Sequence, residues 1–110
     1  MEKTFPLLRA LGIRATYQGY YYVAYAVSLV LEDRTYLLSI TKRLYPDIAS
    51  HFHTNAACVE HAIRTVVTQL WDHGNRDYLD KLAHCRLKVK PVSSELIDIL
   101  ATYLLLEHKT

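Results

Sequence analysis

Val59, Ile63, Val66 and Leu70 recur at the i, i+4, i+7 and i+11 spacing of a single helical face, with Ala62 and Val67 beside them. Thr54 stands where an N-cap is wanted, and Gly74 with Asn75 offers a left-handed stop, so the spacing predicts a helix over 54–73. With only three Gly and three Pro in the chain, the other breaks must come from single residues. Gly12 closes a first helix from Phe5 to Leu11. Gly19 precedes an apolar run, Tyr20 to Glu32, in which Tyr22, Ala26, Leu29 and Val30 recur at helical spacing, and its length favours helix over strand. Asp33 is placed to cap an amphipathic helix carrying Tyr36, Leu37, Ile40 and Leu44 opposite Ser39, Lys42 and Arg43. Pro46 suits the first turn of a short helix reaching Phe52. Beyond Gly74, Asp77 to Leu82 makes one or two turns, and Arg86 to Pro91 alternates apolar and basic residues and reads as extended. Ser93 or Ser94 then caps a last helix striped by Leu96, Ile99, Leu100, Tyr103 and Leu104, with Glu95 in its first turn. The expected fold is all-α: about six helices containing a helix-turn-helix, with a short extended arm before the last helix.

Composition narrows the function classes. A chain of 110 residues has room for one core, so 1–110 reads as a single domain. At 51% hydrophobic and 22% charged it can offset its ordering entropy by burial. The most apolar stretch, Tyr20 to Leu31, falls well short of the ~20 residues needed to span a bilayer, so no membrane partner is expected. Two cysteines, Cys58 and Cys85, and the lack of a leader pattern point to the cytoplasm. A net charge of +2 permits a nucleic-acid partner without requiring one. There is no phosphate loop, nucleophile motif or paired acids set against a histidine, so neither enzyme activity nor a cofactor is expected.

Pro46 to Phe52, a break of His53-Thr54-Asn55, and the long helix after it have the length pattern of a helix-turn-helix. In that motif the second helix enters the major groove of double-stranded DNA. Ile48, Ala49, Phe52, Val59 and Ile63 supply the small and apolar residues needed where the two helices cross. Further residues carry a resemblance: Ser39-Ile40-Thr41-Lys42, Leu44-Tyr45-Pro46-Asp47-Ile48-Ala49, Val59-Glu60, Ala62-Ile63-Arg64, Trp71, Gly74-Asn75 and Leu106-Glu107-His108-Lys109. From about Leu11 onward the chain resembles the C-terminal DNA-binding effector domain of the sporulation-initiation response regulator of spore-forming bacteria. The resemblance implies a six-helix domain that binds a promoter box in double-stranded DNA, commonly as a tandem pair, with a homodimer as the other arrangement, and activates or represses transcription when an attached receiver domain is phosphorylated. These 110 residues hold no receiver domain, which leaves an excised piece of a regulator or a free-standing paralogue.

Two departures from the family pattern lie on the exposed face. Cys58 and His61 occupy positions where family members usually carry base-reading arginines, and Ser50 and His51 occupy positions often held by lysine. Each Arg–guanine contact supplies ~1–3 kcal/mol of discrimination, so losing two should change or erase the usual site preference. Fewer cations also mean weaker sequence-independent affinity. The candidate DNA-binding residues are Thr54, Asn55, Cys58, Glu60, His61, Arg64, Lys88 and Lys90. Glu60 and Arg64, at i and i+4, also suit a plain surface ion pair. Lys88 and Lys90 either track phosphates or form a solvated edge with Leu87 and Val89 packed inward. His51, His53, Cys58 and His61 crowd the turn but lack the spacing of paired zinc-binding limbs, so no metal is expected. The tyrosines, five of them between Tyr17 and Tyr25, read as packing. The rival reading is a paralogue that has lost its base-reading arginines and acts by protein–protein interaction with a full-length regulator.

Overall fold

The computed structural model describes residues 1–15 and 17–109, and for residues 108 and 109 the backbone alone. Among the described residues there are six α-helices and no strand: α1 (Thr4–Ala10), α2 (Gln18–Glu32), α3 (Tyr45–His51), α4 (Ala56–His73), α5 (Arg76–Ala83) and α6 (Ser93–Lys109). The all-α expectation holds. Its centre is α2, whose Val23, Ala24, Ala26, Val27 and Val30 are fully buried. It packs against both α4 and α6. The predicted stripe of α4 is the buried one, with Val59, Ile63, Val66, Val67 and Leu70 all inside. Each such side chain contributes roughly 1.5–3 kcal/mol of burial. In α6, Leu96, Leu100 and Leu104 are buried as expected, but Ile97 and Ala101 join them, while Ile99 and Tyr103 are only partly covered.

Glycine ends α1 as the sequence suggests. Gly12 sits at φ +90°, and the Ile13 N–H donates to the Leu8 carbonyl at 2.9 Å, which closes the helix and reverses the chain. Gly74 works differently from the left-handed stop expected of it. Its backbone is extended, at φ −89° and ψ −172°. What excludes a side chain there is proximity, since a Cβ would lie 2.6 Å from the Leu11 carbonyl oxygen. The neighbouring Asn75 N–H donates to that same carbonyl at 2.9 Å, joining the α1–α2 corner to the α4–α5 corner.

The predicted amphipathic helix after Asp33 is divided. Asp33 does cap it, accepting from the Thr35 N–H at 2.9 Å, but the turns it starts are a 3₁₀ segment, Arg34–Leu38. After Ser39 a widened π-type turn runs Ile40–Leu44, with the Leu44 N–H reaching back five residues to Ser39. Pro46 accounts for the widening: in a regular α-helix its ring would collide with the carbonyl of Lys42, and it has no N–H to donate. The segment is held by its polar side chains. Arg43 bridges Asp33 at 3.2 Å, donates to the Thr35 hydroxyl and lies over the Tyr36 ring. The hydroxyl and amide of Thr35, followed by Arg43, hold the Asp33 carboxyl below the 3.8 of a free aspartate.

Between α5 and α6 the chain runs without helix from His84 to Val92. Leu87 packs against the core, whereas Val89 is 76% exposed, so the inward packing expected of both holds for one. A short peptide N–H to carboxylate bond sets the register, from Leu87 N–H to Asp80 at 3.0 Å. The start of α6 also differs from expectation. Neither Ser93 nor Ser94 caps it; the Val92 carbonyl accepts the first helical bonds and Glu95 reaches back to the Val92 N–H at 3.2 Å. This is the carboxylate half of a capping box.

Candidate nucleic-acid interface

Helices α3 and α4 are joined by four residues, Phe52 to Asn55, a geometry compatible with a helix-turn-helix. The turn closes when the Thr54 N–H donates to the Ala49 carbonyl at 2.9 Å, which requires His53 in the left-handed region at φ +56°. A left-handed residue costs a side chain ~1–2 kcal/mol, and glycine gives back ~0.5–1 of that in chain entropy. His53→Gly is therefore expected to raise stability by roughly 0.5 kcal/mol in urea melts, and a loss would show that the imidazole makes a stabilising contact.

The turn uses Thr54 and moves the cap one residue along. Asn55, not Thr54, is the N-cap: its backbone is extended and its side chain accepts from the Cys58 N–H at 2.9 Å. The expected start of α4 at 54 is corrected to Ala56 for this reason. Asn55→Ala should cost about 1 kcal/mol of stability, and Asn55→Asp should retain most of it. Thermal melts of the two variants check this.

With Val59, Ile63 and Val66 turned inward, α4 presents Ala57, Cys58, Glu60, His61 and Arg64 to solvent. Arg64 donates to Glu60 at 2.7 Å, with both side chains about half exposed, so the pair is worth a few tenths of a kcal/mol. One turn further, Thr68 accepts from the Lys90 ammonium at 3.3 Å, pinning the arm to this helix. Arg64, Glu60 and Lys90 thereby line one open groove of about 510 Å³ between α4 and the arm. Lys88 is exposed but does not line it. Thr54 and Asn55 stand at the N-terminal end of α4, with Cys58 and His61 on its first two turns. Of the predicted set, three residues meet in the groove, four share one end of the helix and Lys88 stands apart.

Tyr45 is a member of this site that sequence periodicity did not reveal. It is buried, lines the groove, hydrogen-bonds with the Ser93 hydroxyl and lies near Glu60 and Arg64, and its burial raises the phenol above 10. The signals for it were its position just before Pro46 and its place in the Leu44 to Ala49 run that carries the family resemblance. His51 belongs to packing, since its ring stacks on Tyr25 at 4.0 Å between centroids and meets Phe52 edge-on. Among the described residues no three His, Cys, Asp or Glu side chains gather as metal ligands. None of the described helices is long and apolar enough to cross a membrane.

The geometry is that of an all-α fold with the outer face of α4 open to solvent, and sequence comparison supplies the family. Residues 4–104 match the family model for the sporulation initiation factor Spo0A C terminal. That span takes in α1 to α5 whole, including the α3–α4 unit, and α6 as far as Leu104. The chain belongs to this family of DNA-binding regulatory domains of sporulation initiation.

Proposed function

We propose that the chain acts as one unit, a transcriptional regulator domain that lays α4 in the major groove of double-stranded promoter DNA. The observation that carries this reading is the unobstructed outer face of α4, reached from α3 through a tight turn and flanked by the cation of the arm. In this reading Glu60, His61 and Arg64 face bases or phosphates, and Cys58 faces a base edge without reading it. Thr54 and Asn55 lie against a phosphate at the helix start. Lys88 and Lys90 neutralise phosphates beside the groove. The domain works in the cytoplasm, as a homodimer or tandem pair on DNA. Fluorescence anisotropy against the family's promoter box and a scrambled duplex tests it. Tighter binding to the box is expected. Equal, salt-sensitive binding to both would remove the claim of specificity, and no binding at low salt would remove DNA binding itself.

A second reading rests on one observation: the exposed α4 face carries Cys58 and His61 where arginines would read bases, and Arg64 is already paired with Glu60. A domain of this kind would associate with a full-length regulator and dampen it. Co-elution with such a regulator in size-exclusion chromatography, together with absent DNA binding, is the result that would favour it.

A further inference from the structure

The groove between α4 and the arm contains more than the two cations assigned above. Arg64 forms one wall, Lys90 the other, and the hydroxyl residues Ser93 and Ser94 of the first turn of α6 close the end. Its floor includes the buried Tyr45. The carboxylates nearby are already engaged, Glu60 by Arg64 at 2.7 Å and Glu95 by the Val92 N–H at 3.2 Å. Lys90 donates to a neutral acceptor, the Thr68 hydroxyl, at 3.3 Å. Lys90 and the Glu60-paired Arg64 thus flank a concave space whose lining mixes the apolar Ile40, Val67 and Val92 with the hydroxyl residues Ser93 and Ser94, and cations beside hydroxyls are the donor set that a phosphate group takes.

We propose that this groove is a phosphate seat, in which Arg64, Lys90 and the Ser93–Ser94 pair hold one phosphodiester of the DNA backbone. The inference rests on the DNA-binding reading and extends it. Register on the duplex is set from α6 and the arm as well as from α4, so the seat positions the domain without reading sequence. Arg64 reaches this phosphate from the same guanidinium that Glu60 holds, and Tyr45 braces the seat through Ser93. Lys90, pinned to α4, belongs to the seat, whereas Lys88 does not.

The seat is tested by anisotropy on a nonspecific duplex across a salt series, with wild type, Lys90→Gln, Ser94→Ala and Lys81→Gln as an exposed control outside the groove. Lys90→Gln should weaken binding roughly five- to tenfold near 0.1 M salt and reduce the log–log salt slope by about 0.9. Ser94→Ala should weaken binding by a smaller factor and leave the slope unchanged, and Lys81→Gln should change neither. An unchanged slope for Lys90→Gln, while wild type binds duplex, overturns the seat and leaves the DNA reading standing. A parallel ¹⁵N NMR titration with inorganic phosphate separates the sources. Shifts at Lys90, Ser93 and Ser94 with duplex support the proposal. Wild type failing to bind duplex at low salt overturns the DNA reading and the seat as a DNA contact. Phosphate-induced shifts at the same amides would then assign the groove to free phosphate.

Discussion

Gly19→Ala is expected to remove roughly 3 kcal/mol of stability, at the upper end of what overpacking costs. Gly19 lies in the first turn of α2 where that helix passes closest to α4, and an added Cβ would lie 2.4 Å from both the Ala62 carbonyl oxygen and Val66 Cγ2. A side-chain methyl can rotate away, but a carbonyl inside a helix cannot, so the two helices must separate where α2 packs on α4. Against a total of about 5–15 kcal/mol this is a large fraction. The midpoint of thermal unfolding should fall by on the order of 10 °C. Gly12→Ala is an internal reference. Its Cβ would meet nothing nearer than Gly74 Cα at 3.4 Å, so its cost of about 1–2 kcal/mol comes from the positive φ alone. Urea melts followed by far-UV circular dichroism would compare the two. Equal losses would mean that α2 and α4 have room to move apart.

Restoring arginine at the two altered positions should have the largest effect on binding. Both Cys58 and His61 are exposed, on the outer face of α4 beside Glu60 and Arg64, so neither substitution disturbs the core. Each arginine that finds a guanine adds ~1–3 kcal/mol of discrimination, so the double variant Cys58→Arg/His61→Arg should prefer the family's promoter box over scrambled duplex by roughly a further hundredfold or more. Thermal stability should change little, because surface substitutions away from caps and core lie within about 0.5 kcal/mol. Anisotropy on the two duplexes, with matched melts, reads both quantities. A gain in affinity that is the same for both duplexes would mean that the arginines touch phosphate alone. No gain at all would mean that α4 does not lie in the groove, and would favour the protein-interaction reading.

The outcome for individual elements shows where local sequence suffices. Helix α4 was legible because Val59 and Ile63 stand at odd positions and Val66 and Leu70 at even ones. A strand would divide them between two faces, whereas a helix gathers them on one, and all four are buried. The short α3 was legible because Pro46 fixes the backbone for a first helical turn. Helix caps were less so. Thr54 and Asn55 are both good capping residues; Thr54 closes the α3 turn on Ala49, and the extended Asn55 starts α4 with its side chain on the Cys58 N–H. At α6, serine offered a hydroxyl, but Glu95 supplied the reaching side chain. The 33–44 segment showed one amphipathic face, but Ser39 leaves helical geometry at φ −144° and ψ 57°, dividing it into a 3₁₀ segment and a π-type turn, the latter next to Pro46.

At the candidate site the same boundary appears. Sequence alone determined an all-α chain with a short helix, a tight turn and a long amphipathic helix, and it placed Cys58, Glu60, His61 and Arg64 on the outer side of that helix, because helical period and solvent preference are properties of neighbours along the chain. Tertiary structure decided which of the basic residues act together. Lys88 and Lys90 are equivalent in an alternating pattern, yet only Lys90 reaches α4, because Leu87 packs against the core while Pro91 is buried and Thr68 stands opposite. The same packing fixed the real duty of each glycine. Gly12 serves its own backbone, but Gly19 and Gly74 serve the helix or corner that passes against them, a contact between segments far apart in sequence that no local pattern encodes.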